Sequence, residues 1–337
     1  MSEAIEVKSE KLKIDIYDSA YVIPGKQGIL HVYDKQGEFV PFTSKRRFNR
    51  NEYSVPVSPI SVEETEMEYY DEEVVYIGFL RGHWGHFLVD SSVRLWALDL
   101  PECVGKRILV KIEGMEEFYS KLFTLLHVDQ SRILQLNKGA RFRKVLVPEL
   151  SYFPGKYITK DFLTPFKKIS DNIFMNKAVY EKIYLSRVHF AKGKKELGEE
   201  LIQKIFEENG FHILYPEELS YEEQVWYYKN CKKMVTTNGT IAHNVVYADK
   251  DVELTILKRF EEDNIHQDAI NNVMSVKAQY INAYDKRSDH DNCLMVRTPE
   301  LLEFCRKENM IIPRESYWKR FVDYWLFRLP YLYRWCK

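Results

Sequence analysis

The sequence predicts an α/β protein made of two strand–helix successions in tandem, and three observations carry that prediction. Apolar residues make up 45% and charged residues 29% of the 337, ordinary globular values, so roughly two domains of normal size have material for a core. From residue 74 onward β-rich runs alternate with helix-periodic segments, a pattern that calls for a mostly parallel sheet covered on both faces. A second and cleaner succession of the same kind starts at Lys182.

Taken in order, residues 1–70 read as short strands and turns (KLKIDIYD, GILHVYD), and the acidic run VEETEMEYYDEE at 62–73 reads as a solvated face. VVYIGF is a buried strand, His83 to Leu98 a helix, RILVKI at 107–112 a strand and GMEEFYSKLFTLLHV a helix. RILQL and KVLVP follow as strands, and residues 151–180, with Pro154 and Pro165, form a connection. In the second half KIYLSR is a strand, and the helix KELGEELIQKIFEENG is closed by Gly210. FHILYP is the next strand, and Ser220 with Glu223 forms a capping box opening the helix that runs through Cys231. KMVTT leads into an Asn238-Gly239-Thr240 turn and the helix IAHNVVYA; ELTIL and AQYINAY add two strands. Thr298-Pro299 starts a last helix. The expected organisation is an α/β domain over 1–160, a second over 161–285, and a helical, aromatic and basic tail over 286–337.

Composition excludes several functions. Lys and Arg number 49 against 50 Asp and Glu, and a net charge of −1 argues against nucleic-acid binding through bulk charge. Five dispersed cysteines read as reduced thiols of a cytoplasmic chain. The first residues lack an apolar signal region, and no run of about 18 apolar residues spans a bilayer. No P-loop, dinucleotide fingerprint, nucleophile elbow or zincin motif occurs. The pairs Asp249/Asp251 and Asp289/Asp291 match the D-x-D pattern that in some sugar transferases holds a divalent cation, but such pairs are common in loops by chance and metal binding is the lesser reading. Residues 317–337 hold nine aromatics, five Lys or Arg and one acid, which suits either a membrane-surface foot or a helix packed back on the body.

Two strand ends are polar enough for chemistry. In RGHWGHFLVDSSVR, helical spacing puts His86, Asp90 and Arg94 on one stripe, with imidazole and carboxylate one turn apart as a base-and-orienter pair or as plain helix-end polarity. After KIYLSR, Arg187, His189, Lys192, Lys194 and Lys195 crowd a strand-to-helix loop, a diphosphate site or a solvated basic loop. Gly239 in the second such turn lets a phosphate approach the backbone, with Thr240 at the following helix start.

At these residues the chain resembles glycosyltransferase family 61, the group often described in bacteria as capsular polysaccharide biosynthesis proteins. One block runs from Gly82 through His83, His86 and Asp90 to Arg94-Leu95-Trp96. The other runs from Tyr184-Leu185-Ser186-Arg187 to Gly210-Phe211, then Pro216 to Gln224 and Thr237 to Asn244. The resemblance implies a GT-B-like fold, two Rossmann-like domains facing a central cleft. It further implies inverting transfer from a nucleotide-sugar donor to a glycan or lipid-linked saccharide acceptor, with no cofactor and no divalent metal.

By that resemblance Asp90 is the base, with His86 beside it and His83 and Arg94 on the acceptor side. Arg187, Lys192, Lys194, Lys195, Gln224, Asn238, Gly239, Thr240 and Asn244 face the donor. The sequence departs from the family pattern at His83 (usually Asn), at Asn238 (usually His) and in having lysines where a second arginine is usual. The reduced thiols and the aromatic, basic tail at 317–337 point to a cytoplasmic enzyme docked on the inner membrane face. The departures leave open a catalytically silent binding partner of a polysaccharide assembly complex.

Overall fold

A computed structural model describes residues 5–25, 29–43, 58–61, 67–190, 195–262 and 264–329, and the chain divides into two units, Met1–Asn172 and Ile173–Lys337.

The first unit is built on a six-stranded sheet. Its strands are β2 (Ile14–Pro24), β3 (Leu30–Tyr33), β4 (Glu68–Arg81), β5 (Arg107–Glu113), β6 (Ile133–Leu134) and β7 (Ala140–Pro148), in the order β3-β2-β7-β4-β5-β6. A small side sheet joins β1 (Glu6–Lys8), β8 (Tyr152–Phe153) and β9 (Tyr157–Thr159). β4 lies between β7 and β5 and is parallel to both, as alternation of strand and helix requires. The expected mostly parallel sheet is nonetheless mixed, because β2 pairs antiparallel with β3 and β7. The link from β2 to β3 is too short for a crossover, so it can only make a hairpin.

The acids at 68–73, expected on a solvated face, lie in β4 and pair across strands: Glu72 with Arg107, Glu73 with Lys106, Asp71 with Arg143. The segment read as a connection, 151–180, contains β8, β9 and helix α3 (Thr164–Asn172). Helix α2 (Glu116–Leu125) buries Tyr119, Leu122 and Phe123.

The second unit has a five-stranded sheet. β10 (Lys182–Leu185), β12 (His212–Leu214), β13 (Lys233–Thr237), β14 (Glu253–Lys258) and β15 (Ala278–Asn282) are all parallel, in the order β12-β10-β13-β14-β15. Counted along the chain that is 2-1-3-4-5, the doubly wound arrangement whose direction reverses between β10 and β13. Helices α4 (Glu199–Glu208) and α7 (Pro299–Lys307) share one apolar cluster with Tyr184, Val235, Leu257 and Ile281, successive strands contributing to one face. Helices α5 (Tyr221–Asn230) and α6 (Ile265–Met274) pack with the 3-10 helix Thr240–Tyr247.

Local signals act as expected. Ser220 and Glu223 complete both bonds of the capping box, Thr298 caps α7 ahead of Pro299, and Gly210 takes a positive φ beyond α4. The helix expected from Lys195 starts only at Glu199. Residues Lys195–Leu197 instead form strand β11, parallel to β16 (Asn292–Leu294), so that Glu196 lies opposite Cys293. Helix α8 (Tyr317–Arg328) tucks Asp323 and Phe327 inward and leaves Trp318, Phe321 and Trp325 exposed; residues 330–337 lie outside the described residues. Among the described residues no helix is long and apolar enough to cross a membrane.

Candidate functional site

In the first unit the polar candidates gather at the carboxyl end of the central strand β4. Gly82 follows it, and a Cβ there would meet the Glu113 carbonyl at 2.5 Å, so only glycine lets the chain leave β4 against the end of β5. The next segment is helical but irregular: an α turn at Trp84–His86, a π turn at Phe87–Ser91 and 3-10 geometry over Ser92–Asp99. π turns within helices are frequent at functional sites. Here the π turn carries Asp90, whose Oδ2 lies 2.6 Å from His86 Nδ1. Arg81 Nη1 approaches His86 Nε2 at 3.4 Å. The His83 ring packs edge-on to His86 at 4.9 Å; burial, with His86 and Arg81 nearby, holds His83 below the usual imidazole pKa. One imidazole nitrogen thus faces a carboxylate and the other a guanidinium.

Arg94 does not join that stripe. The π and 3-10 turns break the regular 3.6-residue spacing, and Arg94 is buried with Nε donating to Pro148 O (2.8 Å) and Nη2 to Phe42 O (2.9 Å). Its guanidinium lies 5.2 Å from the Tyr76 ring centroid. Arg94 holds the interior of this unit together instead of facing an acceptor.

In the second unit the polar groups gather at the carboxyl ends of β10, β13 and β14, the crevice where open α/β sheets bind ligands. Arg187, just past β10, is 4.8 Å from the Phe190 ring and makes a two-pronged pair with Glu196, Nε to Oε2 at 3.0 Å and Nη2 to Oε1 at 3.2 Å. Glu196 Oε1 also accepts from Arg259 Nη1. Burial works to raise the Glu196 pKa, but Arg259 and Arg187 outweigh it and hold the carboxyl below its usual range. Beneath them Glu199 Oε1 accepts from the Arg187 backbone N–H (3.0 Å) and the Tyr184 hydroxyl (3.2 Å), and burial pushes this carboxyl up to about 7.

The Asn238-Gly239-Thr240 turn lies against Arg259. Asn238 Oδ1 accepts from the Arg259 backbone N–H at 2.9 Å, and its carbonyl accepts from Nε (3.2 Å) and Nη2 (2.8 Å). Gly239 has φ +119°, and a Cβ there would stand 3.2 Å from Arg259 Nη2, so a side chain would be both strained and laid over the guanidinium. A small hollow, of about 10 Å³, opens beside it, lined by Asn238, Gly239, Lys258, Asn264, Gln267 and Tyr280.

The remaining donor-side candidates divide. Thr240 is the partly buried first residue of its 3-10 helix, and Asn244 is buried within it. Gln224 spends its amide on the Pro216 and Leu219 carbonyls (2.8 and 3.2 Å), fastening the 216–219 loop. Lys195 belongs to β11, while Lys192 and Lys194 lie outside the described residues. His189 stacks on Tyr215 and pairs with Glu218. His243 faces inward to Gln267 Oε1 (2.8 Å), and burial lowers its pKa to about 4, so it cannot replace the histidine usual at 238.

Sequence reasoning missed Glu196, Glu199 and Arg259. The available signal for Arg259 was its place two residues past the threonine-and-leucine strand ELTIL, at the carboxyl end of a central strand.

Among the described residues no group of three or more His, Cys, Asp or Glu gathers as a metal site. Asp289 Oδ1 is turned onto the backbone N–H groups of Asp291 and Asn292. A larger hollow, about 380 Å³, lies at the opposite ends of the same strands; there Lys233 is paired with Glu253 (2.7 Å) and Glu308 (3.5 Å). Ligands of doubly wound sheets bind at the carboxyl ends, so the smaller crevice is the candidate.

Residues 84–255, just over half the chain, match the family described as Glycosyltransferase 61. No curated protein matches. Among solved structures, the dodecameric iron-containing heptosyltransferase TibC in complex with ADP-D-beta-D-heptose is similar at 8% identity and a TM-score of 0.30, over 85% of this chain and 84% of that one. TibC from enterotoxigenic E. coli H10407 is similar at 10% identity and the same TM-score, over 78% and 85%. Likeness at that level supports no conclusion about this chain.

Proposed function

Because the chain belongs to glycosyltransferase family 61, we propose that it is an inverting transferase of GT-B type, moving a sugar from a nucleotide-sugar donor to a glycan or lipid-linked acceptor in cell-surface polysaccharide synthesis. The second unit holds the donor and the first activates the acceptor. The observation that carries this reading is the convergence of Arg187, Arg259 and the Gly239 turn on the switch point of a 2-1-3-4-5 sheet.

The acceptor hydroxyl attacks the anomeric carbon. A new carbon–oxygen bond forms on one face while the bond to the diphosphate oxygen breaks on the other, and the electron pair leaves with the nucleoside diphosphate. The proton of the hydroxyl passes to the His86–Asp90 pair. With Nδ1 held by Asp90, His86 Nε2, which Arg81 Nη1 faces at 3.4 Å, receives it as that contact gives way, and Asp90 steadies the imidazolium that forms. Charge growing on the diphosphate is met by guanidinium groups and backbone N–H groups already in place, without need of a metal.

Lipid-linked acceptors put the reaction at the cytoplasmic face of a membrane, and the exposed aromatic stripe of α8 with its Lys and Arg is the foot that docks there. A radiolabelled transfer assay across nucleotide sugars, run beside calorimetric titration, tests the function. Turnover on a glycan or lipid-linked acceptor is expected, and tight donor binding without turnover on any acceptor would leave a silent binding partner.

A further inference from the structure

Two guanidinium groups, at 13% and 6% side-chain exposure, share a single carboxylate at the donor crevice. Arg187 reaches it from the end of β10 and Arg259 from the end of β14. The carboxylate, Glu196, belongs to neither strand. It is carried by the three-residue strand β11, whose partner is β16, so a separate strap delivers it. Charges do not balance here: two cations face one firmly ionised acid, and the neighbouring Glu199 is half neutral near pH 7. A carboxylate also fills the two-pronged geometry of only one guanidinium. Arg187 takes both oxygens, while Arg259 keeps a single bond to Glu196 and turns its remaining donors to a peptide carbonyl.

A diphosphate has the charge and the number of oxygens to satisfy both arginines at once. At Gly239 no side chain lies over the Arg259 guanidinium, where a Cβ would stand 3.2 Å from Nη2. Arg259 lies beyond the segment matched by the family, which ends at residue 255.

We propose that Glu196 is a stand-in anion: it holds Arg187 and Arg259 at the donor crevice while the donor is absent, and the incoming diphosphate displaces it and takes both arginines. Arg259 thereby supplies the second guanidinium that the lysines at 192, 194 and 195 cannot, since lysine neutralises phosphate but has no fork. The inference rests on the donor site proposed above. It adds that an internal competitor holds the site, with Glu196 as a positioning residue that must let go.

Inorganic pyrophosphate is the probe, titrated calorimetrically into the full chain and followed in parallel by thermal unfolding. Glu196→Gln removes the competitor and leaves two buried cations less well paired. The variant is expected to melt below the wild type without ligand, to bind pyrophosphate about tenfold more tightly or better, and to regain more of its melting temperature on binding. Pyrophosphate affinity equal to or weaker than that of the wild type would overturn the stand-in role. If Glu196→Gln does not fold, Arg259→Lys carries the test: it keeps the charge and loses the fork, and its pyrophosphate affinity is expected to fall about tenfold. Unchanged affinity there also contradicts the proposal. Should neither wild type nor variant bind pyrophosphate or any nucleoside diphosphate, the donor site itself is misplaced. If wild type binds and Arg187→Ala does not, yet Glu196→Gln gains nothing, only the stand-in fails.

Discussion

The two units use the same device, a strand running into a helical turn, and equip it with opposite chemistry. At the end of β4 a neutralisable imidazole is clasped by one carboxylate, with a second histidine and an arginine nearby. At the ends of β10, β13 and β14 two permanent cations are clasped by one carboxylate over a glycine turn. In the first, the carboxylate orients a group that exchanges protons; in the second, it neutralises groups that never do. On the proposed function one end serves a proton and the other an anion, the division of labour that a displacement with an anionic leaving group requires.

Three results would sharpen or break that contrast. The largest effect belongs to the proton end: His86→Ala is expected to cut kcat by roughly 10² to 10⁴ with little change in donor binding. Asp90→Asn should cost a comparable factor through loss of the tautomer that Asp90 imposes. If Asp90→Asn is severe while His86→Ala is mild, the carboxylate itself is the base. At the anion end, Arg187→Ala should lower kcat/KM on the order of a hundredfold, about 3 kcal/mol, with donor affinity falling too.

Arg94, which the spacing alone would group with His86 and Asp90, belongs to neither end. Arg94→Ala leaves the Pro148 and Phe42 carbonyls unpaired and should cost about 3 kcal/mol of stability, seen as a lower Tm, with kcat kept where the protein is folded. A large loss of kcat at unchanged Tm would put it back on the acceptor side.

The smallest effects are in pH. Glu199 has a folded pKa of about 7 against a usual 4.5, so the protonated form is favoured by folding; its stabilisation is full below pH 4.5 and fades as pH rises through 7. His243 has a folded pKa of about 4 against 6.5, so its contribution is full above 6.5 and fades as pH falls through 4. The two slopes oppose each other over the shared window. Glu199→Gln should expose the His243 slope, making stability fall more steeply toward acid than in the wild type, by up to about 3 kcal/mol. Denaturant unfolding at pH 4.5, 5.5 and 6.5 reads this directly, and parallel curves would show that Glu199 does not titrate there. Vesicle flotation completes the set. Trp318→Ala with Trp325→Ala should reduce binding to anionic liposomes, whereas truncating the whole of α8 would uncover the face that Asp323 and Phe327 cover.

Much of the second unit was legible because its signals are local. The capping box at Ser220, the Thr298-Pro299 start and the glycine beyond α4 each follow from one or two residues. The His86–Asp90 pair was legible for the same reason, being one helical turn apart. Arg94 was not, since a π turn followed by 3-10 turns changes which way a side chain faces and neither is written in apolar periodicity. Glu196 and Arg259 are 63 residues apart and meet only through strand order, information that pairing supplies and spacing does not. The first sheet was expected to be mostly parallel because its early strands carry no sign of which neighbour they choose; β2 finds β7 from the far end of the unit.

Donor binding in His86→Ala and Arg187→Ala, titrated side by side with a panel of nucleotide sugars, tests the division of labour most directly. Retained affinity without transfer in the first variant, and lost affinity in the second, is the result expected. Undiminished affinity in Arg187→Ala, or affinity lost in His86→Ala alone, would contradict it.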